Sequence, residues 1–273
     1  MYCGNVKVFD GMLISLLSII KYVKLPLDVY VLTMDLQDMN EKYIPVNHAQ
    51  VGFLEGIIRK VNDQSRIHLV DVTDVFKKEM EGSPNLATNY GPYTLARLFA
   101  DFVPDIPDIL LYMDTDTIAH GDITEVFETD IYGYEYAAAI DYLGKFFLFP
   151  TYQNAGVLLL NMKLIKENGF FGRVREWCRT KKMFFPDQTA LNRLVPKKKF
   201  FSTRFNEQRM LHKNTVIQHF SKSIRLLPFY HTINIKPWEI ERMHSIYKIH
   251  AYDDILEEYL EYKKQLQSGT ASA

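Results

Sequence analysis

The chain has 273 residues, 47% hydrophobic and 24% charged, with a formal net charge of -1. That balance is ordinary for a globular protein and excludes a disordered or collagen-like chain. It supplies no global field to attract nucleic acid or an anionic lipid surface, so no nucleic-acid partner is expected and at most peripheral membrane contact. Cys3 and Cys178 are the only cysteines, which gives no disulfide framework and no metal-knuckle spacing. They are expected to be buried small hydrophobes in a reducing compartment. No apolar run reaches about 18 residues, so no membrane span is expected. The apolar stretch 8–20 is interrupted by Asp10, Ser15 and Ser18 and lacks the flanks of a signal peptide. A cytoplasmic protein, at most transiently at a membrane, is the expectation.

In chain order, residues 8–24 carry apolar positions at helical spacing and end before Pro26. A very short first segment, "MYCG", precedes them. "DVYVLTMD" (28–35) predicts a buried strand, 49–61 a helix, and "RIHLVDV" (66–72) a strand. Residues 93–102 predict a helix and 109–113 a strand. Such alternation argues for a mostly parallel sheet with helices on both faces. Further on, 136–142 and 155–161 predict strands. Residues 163–182 predict a helix broken near Gly169 and Gly172, and 187–195 a helix entered through Pro186 and Asp187. The lysines at 197–199 predict a solvated loop and 214–220 a late strand. Residues 240–247 and 253–266 predict closing helices, the last with acids early and lysines late, as the helix dipole favours. The expected division is a domain over 1–238, a helical extension over 239–267 and a disordered tail over 268–273.

The stretch "LLYMDTDTIAHGDI" (110–123) raises the chemical question. An apolar strand ends in Asp114-Thr115-Asp116, at the sheet edge where open α/β folds bind ligands. In extended backbone, positions two apart point to one side. Two carboxylates held together repel unless a cation lies between them, and hard divalent cations prefer oxygen ligands. A metal-assisted phosphate site follows, beside the plainer reading of solvated acids at a strand end. Two enzyme classes share the pattern: nucleotide-sugar transfer, and phosphatases of the haloacid-dehalogenase type with Asp114 as nucleophile and Asp116 as acid/base.

Five segments decide between them. "NYGPYTLARLFADFVPDIPDILLYMDTDTIAHGDITEVFETDI" (89–131), "AAAIDY", "YQNAGVLLLNM" (152–162), "FPDQTALN" (185–192) and "IQHFSKSIRLLPFYHTINIKPW" (217–238) stand in this order. Together they resemble glycosyltransferase family 8, which contains glycogenin and bacterial lipooligosaccharide galactosyltransferases. The phosphatase alternative needs its nucleophile strand near the start of the fold and a later acid pair at a strand end. Asp253-Asp254 is the late pair, and it opens a helix.

The resemblance implies a GT-A-type, Rossmann-like α/β fold and a metal-dependent, retaining hexosyltransferase. It would use UDP-glucose or UDP-galactose and a glycan or glycolipid acceptor, in cell-surface polysaccharide or lipopolysaccharide-type synthesis. It implies Mn²⁺ or Mg²⁺ on Asp114, Asp116 and His219. Asn5 matches a base-contacting position, though Asn5-Val6-Lys7-Val8 departs from the family pattern and leaves the base without its aromatic unless Phe9 supplies it. Arg97 and Thr115 are expected to reach the donor. Asn154, Ala155 and Asp187 are expected to hold sugar hydroxyls, and Asp141 lies beside sugar and acceptor. Gln188 matches the group under the anomeric carbon; as an amide it favours same-face attack over a covalent intermediate. The family's diphosphate lysine is displaced here. Spacing from His219 favours Arg225, with Lys222 a further choice and Lys236 the alternative. A chain that binds a nucleotide sugar without turning it over is the remaining reading.

Overall fold

Strand and helix alternate through the N-terminal half as β1 (Tyr2–Cys3), α1 (Phe9–Tyr22), β2 (Asp28–Thr33), α2 (His48–Arg59), β3 (Arg66–Asp71) and α3 (Thr73–Met80). α2 starts on a capping box: the Gln50 N–H donates to Asn47 Oδ1 at 2.9 Å and the Asn47 N–H to Gln50 Oε1 at 3.0 Å. α3 buries only Phe76 and Met80, too sparse a stripe to predict it. The structure, a computed structural model, describes residues 1–87, 91–225 and 231–269; the side chains of Ile224, Arg225 and His231 lie outside that description.

A helix predicted at 93–102 is a 3-10 stretch over Pro92–Phe102. Pro92, Leu95 and Leu98 are buried three residues apart, the repeat of a 3-10 rather than an α helix. β4 (Ile109–Met113), β5 (Thr117–Ala119), β6 (Tyr136–Ile140), α4 (Gly144–Phe147) and β7 (Gln153–Asn161) follow. The predicted helix at 163–182 is two: α5 (Met162–Asn168) and α6 (Phe170–Thr180). The break falls at Gly169 alone, with φ of 64°, a left-handed conformation that glycine adopts without strain. Gly172 lies inside α6. Then come α7 (Pro186–Leu194), β8 (Lys199–Phe200), β9 (Ile217–His219), β10 (Ser223–Arg225), β11 (His231–Ile233), α8 (Ile240–Arg242) and α9 (Asp253–Gln267). So Lys199 leaves the expected loop to start a strand, and only three residues of 214–220 pair. Residues 243–247 complete the predicted helix at 240–247 as a π-helical turn. Of the tail 268–273, residues 270–273 lie outside the described residues.

β1, β2 and β3 pair in parallel. Met1 joins them to β4: its nitrogen donates to the Leu111 carbonyl at 2.7 Å and its carbonyl accepts the Met113 N–H at 3.1 Å, the pattern of a parallel bridge. β7 lies antiparallel between β4 and β6, and β8 is parallel to β6. The order is β3-β2-β1-β4-β7-β6-β8, with β7 running against the others. This is the mixed sheet flanked by helices that the sequence suggests. β1, β2 and β4 therefore deliver their last residues to one edge.

α1 is buried from Gly11 to Ile20. Its small and hydroxyl positions, which interrupt the apolar run, face β5. Ser15 Oγ lies 3.4 Å from Thr117 Oγ1, and the Ala119 N–H donates to Ser18 Oγ at 2.8 Å. A Cβ on Gly11 would stand 2.4 Å from the Thr115 carbonyl oxygen and 2.6 Å from the Trp238 ring. α9 packs on the other side of α1 through Ile255, Leu256 and Tyr259, all in the same apolar cluster. Among the described residues no helix is long and apolar enough to cross a membrane. Gly11→Ala overpacks this seam and is expected to cost about 1–3 kcal/mol, read as a lower urea midpoint with an unchanged slope.

Candidate active site

The Asp114-Thr115-Asp116 stretch is a turn between β4 and β5, not extended backbone. Strand alternation therefore does not bring the two acids together. The turn is pinned by the Asp114 N–H donating to the Gly156 carbonyl at 2.7 Å and Thr117 Oγ1 donating to the Asp114 carbonyl at 2.7 Å. β5 then pairs antiparallel with β9, with Thr117 opposite His219, and the Phe220 N–H donates to the Asp116 carbonyl at 2.9 Å. Long-range pairing thus lays His219 against the turn. His219 Nε2 is 3.3 Å from Asp116 Oδ1 and 3.7 Å from Asp114 Oδ2. One ligand atom from each of the three residues lies within 4.8 Å of the others.

Each acid has a cation. Arg97 Nη2 donates to Asp114 Oδ1 at 3.0 Å, and its Nε lies 3.2 Å from Asp187 Oδ2. The Tyr112 hydroxyl also donates to Asp114 Oδ1, and Arg97 stacks over the Tyr112 ring at 4.3 Å. Its Nε and Nη1 also donate to the Thr94 and Ala155 carbonyls. Arg97 is thus a buried brace under the acids. Lys236 Nζ donates to Asp116 Oδ2. Burial pushes the Asp116 carboxyl up, but Lys236 and His219 outweigh it and hold it well below the usual carboxylate range. Burial disfavours charge on His219, yet the Asp116 and Asp114 carboxylates raise its pKa. Asp187 is raised by burial, against the pull of Arg97.

A chain of amides orients these groups. The Gly156 N–H donates to Asn154 Oδ1 at 2.9 Å, which fixes that amide. Asn154 Nδ2 then donates to Asp141 Oδ2 at 2.8 Å, and Asn206 Nδ2 donates to Asn154 Oδ1 at 2.9 Å. Asn206 Oδ1 is left to accept from His219 Nδ1 at 3.0 Å. With Nδ1–H given to Asn206, Nε2 is the nitrogen that faces the acids, and it is the one that would bind a metal on giving up its proton. Gly156 makes room for the ring, since a Cβ there would meet His219 Cε1 at 2.1 Å.

Gln188 Oε1 accepts the Ala155 N–H at 2.8 Å and Gln188 Nε2 donates to Asp141 Oδ2 at 3.1 Å. Asp141 Oδ1 accepts the Leu143 and Gly144 N–H groups. Asp141, Asn154, Ala155, Asp187, Gln188, Arg97, Asp114, Asp116 and His219 therefore form one connected network, with Thr115 inside its turn. Asn5 follows β1 at the same sheet edge and caps the next turn, its side chain accepting the Lys7 N–H at 3.1 Å. Phe9 packs in the core. The aromatic pair at this edge is Tyr43 and Tyr93, edge-on at 5.5 Å, and the Tyr93 hydroxyl donates to the Met34 carbonyl at 2.8 Å. Lys222 is exposed ahead of β10. Arg225 lies in β10 with its side chain outside the described residues, as do Asn89 and Tyr90 of the 89–131 segment. Lys236, the alternative that spacing disfavoured, is the cation on Asp116. Tyr93 and Tyr112 join the site from within the 89–131 segment, while Asn206 and Tyr43 join it with no local motif to announce them.

A sheet edge carrying an acid pair, an imidazole and an amide network is the arrangement that the resemblance to a glycosyltransferase implies. The profile of glycosyl transferase family 8 matches residues 1–241, and the chain belongs to that family. A putative glycosyltransferase of Haemophilus influenzae is 25% identical over 71% of this chain and 58% of its own length. A probable glycosyl transferase of Streptococcus gordonii is 28% identical over 60% of this chain and 24% of its own. The chain thus spans little more than half of the first relative and about a quarter of the second. In fold it is similar to the galactosyltransferase LgtC solved with donor and acceptor sugar analogs. That match has a TM-score of 0.69 at 19% identity and covers 96% of this chain and 93% of that one. The GlyE glycosyltransferase of Streptococcus pneumoniae matches with a TM-score of 0.63 at 18% identity, over 96% of this chain and 63% of its own. Family membership removes the phosphatase alternative.

Asn206→Ala takes away the acceptor that fixes the His219 tautomer. It is expected to weaken Mn²⁺ binding about 10–100-fold, measured by titration calorimetry.

Proposed function

We propose that this chain is a metal-dependent, retaining hexosyltransferase. In this reading it moves glucose or galactose from the UDP-sugar to a glycan or glycolipid acceptor in cell-surface polysaccharide or lipopolysaccharide-type synthesis. The observation that carries it is the convergence of Asp114, Asp116 and His219 at the end of β4, inside a family 8 chain. Two carboxylates and one neutral imidazole suit Mn²⁺, with Mg²⁺ the harder alternative. When bound there, such an ion neutralises diphosphate charge and stabilises the leaving group.

The chain's own residues supply the rest. Arg97 stays in place as the brace that holds Asp114 and Asp187 aimed. Lys236 has a long, partly exposed side chain; it yields Asp116 and moves its ammonium onto the diphosphate, a role shared with Arg225 or Lys222 at most. Asn5 contacts the base, with Tyr43 and Tyr93 as the aromatic surface in place of Phe9. Thr115 lines the donor, and Asn154, Ala155 and Asp187 bind sugar hydroxyls. Gln188 is held by the Ala155 N–H and keeps its second carbonyl lone pair for the positive charge that develops on the anomeric carbon. Same-face attack then retains configuration, and the leaving diphosphate oxygen takes the acceptor proton. The acceptor enters through the cavity of about 240 Å³ lined by Tyr142, Lys145, Asn206, Gln208 and Arg209 beside Asp141. The acids of α9, Asp253, Asp254, Glu257, Glu258 and Glu261, suit a cytoplasmic protein with at most peripheral membrane contact.

UDP is expected to raise the melting temperature only with Mn²⁺ present, and Asp116→Ala to abolish that rise. With a UDP-hexose, Gln188→Ala should lower turnover about 10²–10³-fold, the usual loss for one electrostatic group in a closed site. UDP without effect, with or without metal, overturns the reading. UDP binding without turnover of any UDP-hexose assigns a non-catalytic nucleotide-sugar binder.

A further inference from the structure

A second convergence of ligand atoms lies at the entry to α9. The π-helical turn Met243–Tyr247 carries His244, and Lys248 then reverses the chain with φ of 58°. His250 follows, and Asp253 opens α9. His244 Nε2 is 2.8 Å from Asp253 Oδ1, and His250 Nδ1 is 3.1 Å from Asp253 Oδ2. The two imidazoles stack at 4.3 Å with 29° between their planes. One atom from each residue lies within 4.8 Å of the other two.

We propose that His244, His250 and Asp253 form a zinc site, separate from the acids at the end of β4. Two imidazole nitrogens and a carboxylate brought to one point offer a cation three donors together. Two nitrogens and one oxygen make a borderline donor set that suits Zn²⁺, whereas two oxygens and one nitrogen at Asp114, Asp116 and His219 lean to Mn²⁺. Tetrahedral Zn²⁺ with bonds of about 2.0–2.1 Å sets its ligand atoms about 3.4 Å apart. Each imidazole nitrogen is already within reach of one Asp253 oxygen, His244 Nε2 at 2.8 Å from Oδ1 and His250 Nδ1 at 3.1 Å from Oδ2, and all three residues bring an atom within 4.8 Å of the others. His250, with 62% of its side chain exposed, is free to turn the remaining distance. Water takes the fourth position.

The site ties the π turn to the first residue of α9. Two residues further on, Ile255 and Leu256 enter the core against α1, and α1 supports Thr115 through Gly11. Zn²⁺ therefore acts as a structural cross-link on the helix behind the donor-side turn.

The test is titration of the full chain with Zn²⁺ alone, by calorimetry, and with Co²⁺ as a spectroscopic stand-in. Four proteins are compared: wild type, Asp116→Ala, His250→Ala and the double variant. His250 is exposed, so its replacement leaves the fold intact, checked by the metal-free melting temperature. The Asp116→Ala protein is expected to keep one Zn²⁺ equivalent, with the intense visible absorption of tetrahedral Co²⁺ and a Zn²⁺-dependent rise in melting temperature. All three are lost on adding His250→Ala, with affinity falling more than the roughly 10–100-fold that an outer-shell change costs. Absence of that equivalent in Asp116→Ala, or its survival unchanged when His250→Ala is added, overturns the proposal.

Discussion

Two carboxylates at a strand end set the terms for everything around them. At about 4 Å and an effective dielectric constant of about 20, two like unit charges repel by about 4 kcal/mol. The fold answers with positive charge from three directions. Arg97 comes from the 3-10 stretch before β4, Lys236 from the segment after β11, and His219 from β9. None is a neighbour of the acids in sequence. The pairing of β5 with β9, the docking of α1 on β5 and the position of Lys236 together hold Asp114 and Asp116 close.

The division of labour among the cations follows from burial. Arg97 is 6% exposed, and each of its three nitrogens donates to a protein acceptor. Removing it would strand Asp114 and Asp187 with poorly compensated buried charge, a defect worth about 3–5 kcal/mol. Lys236 is 26% exposed and holds Asp116 by the tip of a flexible chain. One cation is architecture and the other is exchangeable.

Much of this was legible in the sequence where the signal is local. The acid pair, His219, the Asn-Ala-Gly segment and Asp187-Gln188 stand in short motifs, and the alternation of strands and helices gave the α/β class. What escaped depends on long-range register. The acids meet through a turn closed by β9, so the argument from strand alternation reached a valid pairing by the wrong geometry. Spacing along the chain favours Arg225 over Lys236, and it says nothing about how the chain after β10 folds back to bring Lys236 to Asp116. Asn206 sits in an irregular loop, and only the three-dimensional path shows it holding His219. Phe9 was offered to the base because it is the nearest aromatic in sequence, while the core claims it.

The amide chain from Gly156 through Asn154 and Asn206 to His219 has a direction, set by one backbone N–H that can only donate. Each asparagine passes that polarity on because one end of its side chain donates and the other accepts. Deamidation, the slow chemical ageing of asparagine, would replace a donor by an acceptor. At Asn206 two acceptors would face each other across Asn154 Oδ1; at Asn154 a new carboxylate would face Asp141. The site therefore carries its own clock of chemical wear: strand geometry at β7 hinders the backbone attack at Asn154, while Asn206 lies outside any strand.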